Sequence, residues 1–167
     1  MARHPRARPS QEHPTAKTSI DGEPLTALKV NTHLNHELST WTAYTPTWTA
    51  FTTNPTLGDG TIEGRYVQIG KTVHFTIALT FGSTTTQGAG AWSFTLPVTA
   101  ANGTQHPLGS ARLRDNSAPA YNMRTAYKTN STALGLANEA GVNVGSGTPW
   151  AWAVNDFVII SGTYEAA

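Results

Sequence analysis

The stretch KTVHFTIALTFG, residues 71–82, decides the fold class of this chain. Val73, Phe75, Ile77, Leu79 and Phe81 alternate with Thr72, His74, Thr76, Ala78 and Thr80. Successive side chains of a strand point to opposite faces, so this period of two builds one wholly apolar face. Five such side chains, each worth roughly 1.5–3 kcal/mol when buried, together approach the net stability of a small domain. That face belongs inside. The opposite face lacks the charges of an ordinary solvated surface and carries threonine and one histidine instead.

Further strands are expected on both sides of it, at 43–51, 61–69, 91–96, 107–114, 120–128, 131–137, 149–154 and 156–164. The intervening segments NPTLGDG, GSTTTQGAG, ANGTQHP, DNSAP and VGSGTP are rich in turn formers. No helical pattern interrupts them. The expected fold is mainly β, an antiparallel sandwich or barrel knob over residues 42–167.

Two segments precede the knob. Residues 24–41 read as a short amphipathic helix, with Pro24 suited to its first position. Val30, Leu34 and Leu38, with Trp41, form a narrow apolar stripe that fits packing on a neighbour or on its own copies better than a globular core. Residues 1–23 are polar, basic and proline-bearing, with no periodicity, and read as an extended arm. Arg3, Arg6, Arg8 and Lys17 stand there against Glu12 alone. They are the expected anchoring residues of the arm, suited to phosphate or to an acidic protein surface.

Composition narrows the function. Only 13% of residues are charged and the net charge is +1, so nucleic acid is not an expected partner. The chain has no cysteine, which removes disulfides and thiolate metal sites. No apolar run approaches the roughly 20 residues of a membrane span, and no secretory signal is read at the N-terminus. The expected route is synthesis in the cytoplasm and release by lysis.

The candidate chemistry is sparse. A catalytic histidine needs a nucleophile to deprotonate or a carboxylate to orient it, and His74 has threonines beside it. It reads as an interface residue, together with Thr72 and Thr76. His33, His36 and Glu37 share a helix face and could meet a metal, but two histidines without a third ligand pattern make a polar face the better reading. Asp59, Asp115 and Asp156 sit at turns or strand starts, and Glu63 and Glu139 are unpaired, so the two converging acids of a glycosidase are not read. No enzyme activity, cofactor or metal is expected. Trp150 and Trp152 alternate in TPWAW. They would pack in the core or at a subunit contact or, if exposed, stack on sugar rings, as Tyr121 would.

The motifs YTPTW (44–48), GDGTIEGRY (58–66), IGKTVH (69–74), WSFTLP (92–97) and the terminal ISGTYEAA resemble a β-domain of small structural proteins of tailed bacteriophages, especially those of actinobacteria. The lead-in LTALKVNTHLNHEL is similar as well. The resemblance covers about residues 25–100 and the last ten, and its motifs are structural. It implies a virion protein of minor tail, fibre or head-fibre type, forming homotrimers. Such a protein would bind capsid or tail proteins through its arm and, as an adhesin, a host surface glycan; as a capsid decoration it would need no ligand. In a trimer, the Thr72, His74, Thr76 face would meet a neighbouring copy.

Overall fold

A computed structural model describes residues 40–103 and 106–167. The arm with Arg3, Arg6, Arg8 and Lys17, the Val30, Leu34 and Leu38 stripe, and His33, His36 and Glu37 lie outside the described residues. The described residues belong to one compact unit.

Nine strands follow one another with no helix among the described residues: β1 Thr42–Tyr44, β2 Trp48–Ala50, β3 Thr61–Ile69, β4 Thr72–Thr80, β5 Trp92–Thr95, β6 Pro107–Asp115, β7 Ala120–Asn130, β8 Ala133–Ala137 and β9 Phe157–Glu165. They form one antiparallel sheet in the order β1-β3-β4-β9-β6-β7-β8-β5-β2. The sheet curls into a half-barrel. Of the two architectures read from the sequence, this single curled sheet is nearer the barrel.

The connection from β1 to β2 explains the curl. These strands are the opposite edges of the sheet, yet only residues 45–47 separate them. Such a link reaches at most about 14 Å. The edges must therefore come together, and the Tyr44 hydroxyl on β1 donates to the Thr95 carbonyl of β5 at 3.4 Å across the gap. Thr47 N donates to Thr95 Oγ1 at 2.8 Å and Thr95 N to the Thr47 carbonyl at 3.1 Å, extending the β2–β5 ladder into the link. Pro46 is the reason the expected strand 43–51 breaks in two: it has no N–H for a ladder and fixes its own φ.

β4 lies between β3 and β9 and turns Val73, Phe75, Ile77 and Leu79 inward, with Phe81 just beyond its end. The row beside Phe75 is small. Phe75 pairs with Gly162, Gly162 with Gly109, and Gly109 with Ala126 across four strands. A Cβ on Gly162 would come within 2.9 Å of the Phe75 ring and 2.4 Å of the Leu108 carbonyl oxygen. Glycine there leaves the volume that the Phe75 ring fills. Gly64 plays the same part on β3, where Tyr44 covers it: an added Cβ would meet the tyrosine ring at 2.3 Å.

A second aromatic group surrounds Phe81. Its ring stacks on Trp152 at 4.9 Å and 12°, and Trp48 meets Trp92 edge-on at 4.9 Å. This packing corrects one expectation. Residues 149–154 form no strand. Trp152 is only 7% exposed, and its indole N–H donates to the Gly145 carbonyl at 2.9 Å. It is a core residue and offers no ring to a sugar. Trp150 is partly buried against it, with ring centroids 5.5 Å apart.

Two substitutions test this core. Phe75→Ala should lower stability by about 3–5 kcal/mol in chemical denaturation. Gly162→Val should destabilise by more than a surface substitution such as Thr163→Val, because backbone atoms of β6 cannot retreat from the new side chain.

Candidate functional site on the outer sheet face

The outward residues of β4 answer what the threonine face touches. Thr72 and His74 are exposed, and Thr76 is half-buried. They stand in register with hydroxyl-bearing neighbours. Thr76 pairs with Arg65 on β3 and Ser161 on β9, Ser161 with Ser110 on β6, and Ser110 with Thr125 on β7. One row further along, Ala78, Ile159, Arg112 and Met123 stand side by side. Ile159 and Met123 are 42% and 61% exposed. The face is broad, carries Glu63, Arg65 and Arg112 among its hydroxyls, and is studded with single apolar side chains.

His74 accepts or donates a hydrogen bond through Nδ1 to Thr163 Oγ1 at 2.8 Å. A hydroxyl partner neither holds an imidazolium nor orients a base as a carboxylate would. The ring also borders a shallow concavity of about 550 Å³, with Trp41, Val67, Ser110, Ser161 and Thr163. Its floor crosses the backbone of the Gly109–Gly162 pair. Trp41, 49% exposed, stands at this concavity and in no strand or helix. Sequence reasoning had placed it in a helical stripe. The only signal for another place was its position at the onset of the β pattern.

Tyr121 is exposed, but its ring is engaged. The guanidinium carbons of Arg112 and Arg114 lie 4.2 and 4.9 Å from its centroid, and Arg114 donates to its hydroxyl. A sugar stacking there would compete with cations already on the ring.

The acids that sequence reasoning placed at turns are used in them. Asp59 accepts from Thr84 N at 2.7 Å, Thr84 Oγ1 at 2.8 Å and Ser83 Oγ at 2.7 Å. The Thr84 N–H, then the Ser83 and Thr84 hydroxyls, hold its carboxyl well below the usual carboxylate range. Asp115 accepts from Ser117 Oγ, Ser117 N and Ala118 N, and the serine hydroxyl leads in lowering its carboxyl. Asp156, fully buried, accepts from Asn116 N at 2.8 Å and Ala153 N at 2.9 Å. Each carboxylate is an acceptor for nearby donors rather than half of an acid pair. Among the described residues, no group of three histidines or acids is placed to hold a metal ion.

Comparisons with family models, curated proteins and solved structures find no match to this chain.

Asp59 carries a pH prediction. Its carboxyl is depressed in the folded chain, so its contribution to stability is complete above the unfolded value of 3.8 and is lost as pH falls below it. Asp59→Asn should lower the melting temperature at neutral pH. The gap to the parent chain should stay constant down to about pH 5 and then close in more acidic buffer, as followed by circular dichroism.

Proposed function

We propose that this protein is a non-enzymatic structural component of a tailed-bacteriophage virion. It forms a short surface appendage of minor-tail or fibre type. Its basic arm docks on capsid or tail proteins, and a homotrimeric β-knob is displayed for attachment to a host surface glycan. The observation that carries this reading is the outer sheet face around Thr76. Hydroxyls and small side chains, with Ile159 and Met123 among them, suit burial against another copy. Threonine and serine pair favourably across strands.

The motifs that resemble phage β-domains also occupy structural positions. Trp48 and Trp92 are core, Tyr44 covers Gly64, and Gly58 has a positive φ of 59° beside Thr84. A motif set of this kind supports a shared scaffold rather than a shared chemistry.

A second reading, a purely structural capsid decoration or head fibre, gains from the aromatic side chains. Trp152 is core, and the Tyr121 ring is engaged by two arginines. Both fit a knob with weak or no ligand binding. Gold-labelled antibody on particles separates the two readings: label at the tail tip favours attachment, and label over the capsid lattice favours decoration.

Light scattering of the full chain tests the assembly. The expected mass is three times 17.8 kDa. The double variant His74→Glu, Thr76→Glu should shift it to the monomer by placing carboxylates in the contact. A trimer that survives both changes excludes this face as the interface.

A further inference from the structure

A separate cavity lies beside the β6–β9 and β7–β8 pairings. It measures about 220 Å³, and Asn102, His106, Leu108, Lys128, Thr163 and Glu165 are among its walls. Lys128 sets its character. The register puts it opposite Leu134, at a position where β7 otherwise turns alanine inward at Ala126. Lysine is rarely buried this far unless its amine is paired, yet Lys128 is only 6% exposed. Its Nζ donates to the Ala101 carbonyl at 2.6 Å, its one hydrogen bond to the described residues. An ammonium has three N–H donors. Two remain without a partner among the described residues.

The surrounding backbone is fastened on several sides. Lys128 N donates to the His106 carbonyl at 2.9 Å, and Ala101 N to the Glu165 carbonyl at 2.8 Å. Gly103 lies between the two polar side chains. A Cβ built there would be 3.0 Å from His106 Nε2 and 3.9 Å from Lys128 Nζ. Imidazole and amine thus both border the cavity beside this glycine.

We propose that this cavity binds a small monocarboxylate. One oxygen would accept from Lys128 Nζ and the other from the His106 ring. The remainder would lie against Leu108 and the Asn102 and Thr163 polar groups. Three observations choose this class. The donors are a buried amine and an imidazole, which suit an anion. Glu165 in the wall repels a second negative charge, which disfavours a phosphate dianion. The volume is below the roughly 300–1,000 Å³ of drug-sized ligand sites, so the occupant is small. The cavity and its test are independent of the virion reading.

The test is titration of the full chain with D-glucuronate, D-glucose and inorganic phosphate at constant ionic strength, followed by amide chemical shifts. Glucuronate should bind saturably, with shifts at Asn102, His106 and Lys128. Lys128→Met should weaken it by about tenfold or more, the loss of a charge-assisted bond. His106→Gln, a change at an exposed position, should weaken it less and guards against a folding defect in the lysine variant. The proposal is overturned by any of three results: no saturable glucuronate shifts, equal shifts with glucose, or phosphate binding as tightly as glucuronate. Parental affinity in both variants would overturn it as well.

Discussion

Three residues, Thr45, Pro46 and Thr47, join the first and last strands of a nine-stranded sheet. The rest of the architecture follows from that constraint. A flat sheet of this width would hold its edges far apart, since neighbouring strands are spaced about 4.8 Å. The short link rules that out, so the sheet curls and one face becomes an interior. The alternating residues of β4 line that interior, and Trp48 enters it immediately after the link. The hydrogen bond from the Tyr44 hydroxyl to the Thr95 carbonyl crosses the same seam, so connectivity and bonding reinforce each other.

Curling also sets where small residues are needed. Inside a tightly curved sheet, large rings from one strand occupy space above the next. Gly162, Gly109 and Ala126 leave room beside Phe75, and Gly64 leaves room for Tyr44. The backbone of the same glycine pair lies in the floor of the outer concavity next to His74 and Trp41. Polar groups show the complementary economy. The carboxylates of Asp59, Asp115 and Asp156 accept backbone and hydroxyl hydrogens in turns, which the many glycine-rich and threonine-rich connections would otherwise leave to water.

The proposed roles divide between two surfaces with different physics. The outer face of β4 and its neighbours is open and hydroxyl-rich, with Glu63, Arg65 and Arg112 among the hydroxyls, a surface suited to a broad contact with another chain. The Lys128 cavity is small and carries a buried amine. It suits a compact anion, and a broad partner could not enter it.

The alternation in β3, β4, β6 and β9 was legible because each strand has one buried face, and a period of two records that burial directly. All four strands lie within a residue of their expected bounds. The turn positions of the acids were legible, but most of their partners were not: Asp115 takes its donors from its own turn, whereas Asp59 takes them from Ser83 and Thr84 and Asp156 one from Asn116, all distant in the chain. The place of Trp152 was not, because alternation in TPWAW is equally compatible with a strand and with a loop folded onto the core. Only the tertiary contact with Phe81 and Gly145 separates them. Lys128 was hidden in the same way, since a lysine in a polar strand end looks solvated until the chain around Ala101 and His106 covers it. By itself the sequence determined which residues alternate and where the chain turns, because these depend on near neighbours. The tertiary structure decided the curl, the outer concavity and the buried amine, because each arises where strands distant in the chain are brought together.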